Sequence, residues 1–196
     1  MAPVIKKPMP EMGPSVPRRG WWLGRALGRA VMWVAGWSFA GSISDLSKAV
    51  IIVAPHTSNW DFVIGAAAML ALDLDLCFLG KHTLFRGPLG MLMRILGGIP
   101  LDRAHSSGVV DEMAERIKSS DHLLLALAPE GTRGKVTRWK TGFHAIARGA
   151  GVPILAVTLD YGRRQICFRK PFTPTPEMET DIEELQAFFA DSHGRR

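Results

Sequence analysis

A histidine and an aspartate, His56 and Asp61, have the residue types and the spacing of a general base and its partner. A histidine that is hydrogen-bonded to a carboxylate is a general base whose tautomer and orientation are fixed by that partner. Five residues correspond to about 140° of rotation on a helix, and on a strand they place two side chains on opposite faces. The two side chains can therefore meet only where the chain turns.

The residues around the pair predict such a turn. Residues 49–53 form a short apolar run rich in β-branched side chains, which predicts a buried strand. Pro55 cannot donate to a strand ladder, so we expect the strand to end at Ala54. The alanine-rich run at residues 62–70 predicts a largely buried helix. The pair is therefore expected on a strand-to-helix turn.

The same segment has a second interpretation. Ser58 and Asp61 have the spacing of a capping box, in which Ser58 is the N-cap and Asp61 closes the first turn of the helix. On that interpretation Asp61 is structural, and His56 is a turn residue. The two interpretations are compatible, because a cap can hold Asp61 where His56 reaches it.

Strand-like and helix-like segments alternate from residue 45 onward. Such alternation is typical of an α/β fold with a mainly parallel sheet flanked by helices, and 196 residues fit a single domain. We therefore predict one α/β domain over residues 45–196. Strands are predicted near residues 49–54, 76–80, 99–101, 122–128, 153–160 and 165–169, and helices near residues 59–72, 84–96, 108–119, 141–149 and 178–190.

The first 44 residues differ in composition from the rest. Residues 1–20 are basic and rich in proline, which predicts a disordered tail. Residues 21–44 contain four of the six tryptophans, with Arg25 and Arg29 one helical turn apart. The uncharged stretch after Arg29 is shorter than the roughly 20 residues that a membrane-spanning helix needs. Tryptophan and arginine side chains, in contrast, favour the headgroup region. We predict an N-terminal interfacial helix; the alternative is a helix packed on the protein's own core.

The formal net charge of +6 favours acidic partners such as anionic lipid, phosphorylated substrates or an acidic carrier protein. Nucleic acid is not expected, because the basic residues are not interleaved with aromatic residues along one element. The only cysteines, Cys77 and Cys167, lie in apolar runs, which is typical of reduced core residues. Cysteines and histidines do not cluster with metal-ligand spacing, so no metal is expected. The motifs of serine hydrolases, P-loop proteins and dinucleotide-binding proteins are absent from the sequence.

Two further polar segments follow predicted strands. Residues 129–133, Pro-Glu-Gly-Thr-Arg, follow one strand, and Arg103 ends another. In open α/β sheets ligands bind beyond the carboxyl ends of the strands, so we expect these segments near the turn that carries His56. Arg103 and Arg133 have the chemistry to grip a phosphate. Alternatively, Glu130 forms only a structural ion pair, and the basic residues are solvated.

Together these motifs resemble those of the glycerolipid acyltransferase superfamily, specifically the 1-acylglycerol-3-phosphate acyltransferases. Four blocks occur in the family's order between roughly residues 45 and 170, and the P-E-G-T-R block is unaltered. The glycerophosphate members usually have asparagine at the position of Pro55. A divergent subgroup with the pattern P-H-T-S-N-W-D has proline there, as this sequence does. The four blocks are His56 with Asp61 (H-x4-D), Phe85-Arg86 with Gly98 to Arg103, Pro129 to Arg133, and Val152-Pro153-Ile154.

The resemblance implies a glycerol-3-phosphate acyltransferase-like fold and an enzyme that moves a fatty acyl group from an acyl thioester to a hydroxyl of a lysophospholipid such as 1-acylglycerol-3-phosphate. It implies His56 as the general base, with Asp61 as its partner. No cofactor is implied, and acyl-CoA or acyl carrier protein would be the acyl donor. The implied phosphate-binding residues are Arg103, Glu130, Gly131, Thr132 and Arg133, with Lys81 and Arg86 as secondary candidates.

The expected location is the cytoplasmic face of a membrane, where the protein would be peripheral or monotopic on an anionic surface. Three alternatives use the same sequence features. The first is an acyltransferase for another acceptor lipid, the second is a thioesterase that frees fatty acid, and the third is a non-catalytic lipid-binding protein.

Overall fold

A computed structural model describes residues 9–101, 108–131 and 138–194. The strands are β1 (Ser38–Ala40), β2 (Lys48–Ala54), β3 (Leu76–Lys81), β4 (Gly98–Leu101), β5 (Leu123–Leu127), β6 (Ile154–Asp160) and β7 (Gln165–Phe168). The helices are α1 (Trp22–Val34), α2 (Asn59–Ala71), α3 (Gly87–Ile95), α4 (Val109–Ser119), α5 (Gly142–Ala150) and α6 (Met178–Phe189), and a 3-10 turn (His82–Phe85) precedes α3.

The strands form one sheet in the order β1-β7-β6-β2-β5-β3-β4. Neighbouring strands are parallel, except that β6 and β7 are antiparallel. The predicted α/β fold with a mainly parallel sheet is therefore confirmed. Every strand and helix predicted after residue 45 is present, and its ends differ from the prediction by at most three residues.

Helices cover both faces of the sheet. Ala49 and Ile51 of β2 pack on the face covered by α1, α2 and α3, whereas Val50 and Ile52 pack on the face covered by α4, α5 and α6. Since both faces are buried, the central strands read as continuous apolar runs. This is why their positions could be predicted from the sequence.

The N-terminal region differs from the predicted helix over residues 21–44. Helix α1 ends at Val34, Gly36 has a φ of +74°, and β1 then pairs in parallel with β7. A strand of three residues carries too little hydrophobic periodicity to be recognised in a sequence. The sheet therefore includes residues that precede position 45, the predicted start of the α/β domain.

Residues 9–20 were predicted to belong to a disordered tail, but the structure packs them on the domain. Val16 is buried in the core beneath α1, α2 and α3. The Arg19 guanidinium donates to the carbonyl oxygens of Ile95 and Leu96 at the C-terminal end of α3, both at 2.8 Å. A cation is favourable there because the last carbonyl groups of a helix lack partners within the helix. The composition-based prediction was wrong for these residues because long-range contacts, which include the buried valine, the arginine and backbone bridges to Ile43 and Leu74, fix the segment.

Helix α1 packs against α2 through small residues. Gly24, Gly28 and Met32, which are spaced by about one helical turn, are the buried residues of α1. A Cβ at position 28 would overlap the backbone nitrogen of Ala71 and lie 2.6 Å from the carbonyl oxygen of Ala67. The opposite side of α1 carries exposed tryptophans. None of the helices in the described ranges is both long and apolar enough to cross a membrane.

Gly28→Ala should destabilise the protein, although alanine normally stabilises a helix by about 1 kcal/mol relative to glycine. The added methyl group has no room against α2, and overpacking of this kind costs about 1–3 kcal/mol. Gly65→Ala on α2 is the matched control, because a Cβ there meets no atom within 4 Å. Urea unfolding should show a lower free energy of unfolding for Gly28→Ala and a higher one for Gly65→Ala. Equal stabilisation by both changes would contradict the close approach of the two helices.

Candidate active site

The turn between β2 and α2 brings His56 and Asp61 together. Strand β2 ends at Ala54, the Ala54–Pro55 peptide bond is cis, and α2 begins at Asn59. The Nδ1 atom of His56 lies 3.3 Å from Oδ2 of Asp61. The two side chains therefore meet on a turn, as their spacing predicted, at a distance slightly longer than the usual N–H···O hydrogen bond.

Asp61 is also part of a capping box. Ser58 is the N-cap of α2, and Asp61 is the N3 residue. The backbone N–H groups of Thr57 and Ser58 donate to Oδ2 of Asp61 at 2.6 Å and 2.7 Å. Both interpretations of this segment are thus correct in geometry, because the cap fixes the carboxylate and the carboxylate contacts His56.

A tyrosine that the sequence analysis did not single out completes the surroundings of Asp61. The hydroxyl group of Tyr161 donates to Oδ1 of Asp61 at 2.7 Å. Tyr161 directly follows β6, which is parallel to β2, so it lies at the same edge of the sheet as His56. The rule that polar residues after parallel strands form the site would have found it, had it been applied to β6.

Asp61 keeps its charge although its side chain is only 1% exposed. Burial by itself raises the pKa of a carboxyl group. The hydrogen bonds from His56 and Tyr161, together with those from the backbone of Ser58 and Thr57, outweigh burial and hold the pKa of Asp61 below its usual value. In the neutral imidazole of His56, the charged carboxylate favours the tautomer that carries its proton on Nδ1, which leaves the lone pair on Nε2.

Glu130, which lies in the segment after β5, supports the same turn. Its Oε2 accepts a hydrogen bond from the backbone N–H of His56 at 2.9 Å. Burial raises the pKa of Glu130, and the hydrogen bond from the His56 backbone opposes this rise. The family resemblance implies that Glu130 binds a phosphate, but a carboxylate repels an anion. The contact that the structure describes is with the backbone of the histidine.

The remaining predicted site residues divide into described and undescribed ones. Gly131 has a φ of +66°, a backbone conformation that favours glycine. Lys81 is the exposed last residue of β3, and Arg86 is exposed at the start of α3. Leu101, at the end of β4, is three strand positions from β2, or about 14 Å. The predicted residues outside the described ranges are Arg103, Thr132 and Arg133.

A second histidine–aspartate pair provides a contrast. Nε2 of His144 on α5 lies 2.7 Å from Oδ2 of Asp181 on α6, and both side chains are almost fully buried. The backbone N–H and the hydroxyl group of Thr175 also donate to Asp181. This pair joins two helices, whereas 25% of the His56 side chain is exposed at the end of the sheet. A substrate can therefore reach His56 and not His144.

Comparison with known proteins shows which family the chain belongs to. The acyltransferase family model matches residues 40–160. The crystal structure of the 1-acyl-sn-glycerophosphate (LPA) acyltransferase PlsC from Thermotoga maritima is similar, with a TM-score of 0.59 and 20% sequence identity, over 88% of this chain and 80% of that chain. A search of curated proteins gave no match.

The likeness to PlsC shows that the two proteins share an α/β fold. The region that the family model matches is more than half of the chain, and it includes both His56 and Glu130. This protein therefore belongs to the acyltransferase family.

Proposed function

We propose that this acyltransferase moves a fatty acyl group from an acyl thioester to a hydroxyl group of a lysophospholipid such as 1-acylglycerol-3-phosphate. The observation that carries the proposal is the contact between Nδ1 of His56 and the buried carboxylate of Asp61 at the end of β2. The similar protein from Thermotoga maritima is an LPA acyltransferase, which supports the choice of acceptor.

In the proposed reaction His56 is the general base. Its Nε2 takes the proton from the acceptor hydroxyl while that oxygen attacks the thioester carbonyl carbon. The tetrahedral intermediate then expels the thiol by breaking the carbon–sulfur bond, and the proton on His56 passes to the sulfur. Asp61 stabilises the imidazolium that exists between these two proton transfers. The reaction needs no acyl-enzyme intermediate, because the acceptor oxygen attacks the donor directly.

The substrates proposed for this site are both anionic. The acyl donor is acyl-CoA or acyl carrier protein, and the formal net charge of +6 suits either one. By the family resemblance, Arg103, Thr132 and Arg133 bind the acceptor phosphate, and Gly131 allows the backbone to approach it closely. Positive charge near the sheet end that carries His56 also comes from Lys81, the last residue of β3, and from Arg86, which follows that strand.

The proposed location is the cytoplasmic surface of a membrane. Helix α1 packs on α2 with its glycine side and presents exposed tryptophans on the other. Tryptophan side chains are stable at the headgroup level, where a lysolipid presents its polar end. This arrangement would bring the acceptor to the enzyme without its extraction into water.

His56→Ala should reduce acyl transfer by at least about 10²-fold, which is the usual contribution of a general base. Mass spectrometry of lipids would detect phosphatidic acid after purified protein is mixed with lysophosphatidic acid and a long-chain acyl thioester. His122→Ala is the matched control, because His122 is exposed and precedes β5 at the opposite edge of the sheet. Near wild-type turnover by His56→Ala would exclude this residue as the base. Free fatty acid without acylated acceptor would instead favour a thioesterase.

Tyr161→Phe should lower kcat with little change in the KM for the acceptor, because the lost hydroxyl group positions Asp61 and does not touch substrate. The phenylalanine keeps the ring that packs edge-on against Trp37 at 4.9 Å between centroids. The variant also loses a hydrogen bond to a charged group, which contributes about 1.5–3 kcal/mol to stability. A change confined to the acceptor KM would contradict the positioning role.

The stability cost of Tyr161→Phe should also depend on pH. The hydrogen bond favours charged Asp61, whose pKa in the folded protein lies below its unfolded value of about 3.8. The contribution is therefore full above that unfolded value and is lost as pH falls through the folded pKa. Urea unfolding of both proteins at neutral and acidic pH should show a difference that shrinks on acidification. A difference independent of pH would point to lost packing alone.

Glu130→Gln should keep turnover, whereas Glu130→Ala should lower kcat, because glutamine still accepts the hydrogen bond from the His56 backbone. Burial raises the pKa of Glu130 above its usual 4.5, so the charged form costs stability. The wild type should therefore lose stability relative to Glu130→Gln as pH rises from about 4.5 towards neutrality. Melting temperatures across this range measure the effect. An increase in acceptor KM for Glu130→Gln, at unchanged kcat, would instead favour phosphate binding.

A further inference from the structure

The exposed large apolar side chains among the described residues are concentrated on one side of the molecule. Thirteen such residues are exposed, and twelve of them belong to α1 with its N-cap residue, to α2 or to α3. Met9 is the exception, and none of the described ones lies on α4, α5 or α6. Because α1, α2 and α3 pack on one face of the sheet, these side chains point away from the same face.

Helix α3 supplies four of these residues, which we call the α3 surface: Leu89, Met91, Leu92 and Ile95. Met91 is 66% exposed, and the other three are about half exposed. In this helix of nine residues only Gly90 and Met93 are buried. Apolar surface of this extent is typical of a contact site and not of a face that remains in water.

The charges on this side of the molecule suit an anionic surface. Helix α1 carries Arg25 and Arg29, and α3 carries Arg94. The one acidic residue of α1, α2 and α3 is Asp61, which is buried in the catalytic turn. On the opposite face, α4, α5 and α6 together carry seven acidic and three basic side chains. An anionic membrane therefore attracts the first side and repels the second.

We propose that the α3 surface is a second membrane-docking element, which enters the headgroup region of an anionic bilayer together with α1. This inference rests on the proposed membrane location of the enzyme and adds a contact that the tryptophan-rich helix does not supply. The exposed Trp60 and Val63 at the start of α2 lie within one turn of Asp61. Docking through all three helices therefore places the catalytic turn against the leaflet that contains the acceptor.

A second copy of the chain is the competing occupant of the α3 surface. Self-association through this side would bring Arg29 and Arg94 of two copies together, whereas the guanidinium of Arg25 lies 3.8 Å from the Asp73 carboxylate of its own chain. Like charges at such a contact are unfavourable. A bilayer that contains anionic lipid supplies both the apolar interior and the compensating negative charge, so the charge pattern favours the bilayer.

The test is an environment-sensitive NBD fluorophore attached at three exposed positions of the full chain, in a Cys77→Ala, Cys167→Ala background. The attachment variants are Met91→Cys on α3, Trp33→Cys on α1 and Glu112→Cys on α4. Each labelled protein is mixed with vesicles of phosphatidylcholine and phosphatidylglycerol. The proposal expects emission from positions 91 and 33 to shift to shorter wavelength, while emission from position 112 stays unchanged.

Each other outcome overturns the inference in a different way. A shift at position 33 without one at position 91 would keep the α1 anchor and reject docking by α3. The absence of a shift at both positions would reject the membrane location itself. A shift at position 91 that grows with protein concentration and needs no vesicles would show that a second copy covers the α3 surface.

A pair of methionine substitutions gives an independent measurement. Met91→Gln should weaken binding to the same vesicles by roughly tenfold, because the exposed part of the side chain no longer enters the bilayer. Met9→Gln is the matched control, since Met9 is also exposed but lies outside the three helices. Equal binding by wild type and Met91→Gln in a co-sedimentation assay would overturn the proposal.

Discussion

A buried carboxylate is stable only when hydrogen-bond donors surround it, and much of this fold depends on meeting that requirement for Asp61. Its donors are His56, the backbone of Thr57 and Ser58, and the hydroxyl group of Tyr161. The first three belong to one turn, but the tyrosine comes from the end of β6. One of the four hydrogen bonds that lower the pKa of Asp61 therefore exists only while β2 and β6 are neighbours in the sheet. Removal of a donor would leave part of a buried charge without compensation, which is costly in the protein interior.

The two strongest motifs of the sequence depend on each other through strand pairing. His56 and Glu130 are 74 residues apart in the chain, yet the carboxylate of one accepts from the backbone of the other. They meet because β2 and β5 are adjacent and parallel, so both strands end at the same edge of the sheet. The P-E-G-T-R block thus has a structural part in the site, through its glutamate, beside the phosphate-binding part that the family resemblance implies for its other residues.

Local features of this protein could be predicted from its sequence more completely than long-range ones. Pro55 and the Ser58 cap act within a few residues, so the strand, the turn and the helix around His56 were all correct. The position of Tyr161 after β6 marks it as a candidate site residue, but its hydrogen bond to Asp61 depends on which strand lies beside β2, and no local pattern encodes that. The same holds for Val16 and Arg19, which order a segment of disordered-type composition, and for β1, whose three residues pair with β7 and carry no periodicity.

The attachment of α1 on both sides has a mechanical consequence. Before it, Arg19 is bound to the end of α3, and after it, β1 is hydrogen-bonded into the sheet. Glycines hold its middle against α2. Such a helix cannot swing on a flexible tether, because any rotation of α1 must rotate the whole α/β domain. The height and tilt of His56 relative to whatever surface α1 rests on are therefore properties of the fold, set when the protein folds and not adjusted during turnover.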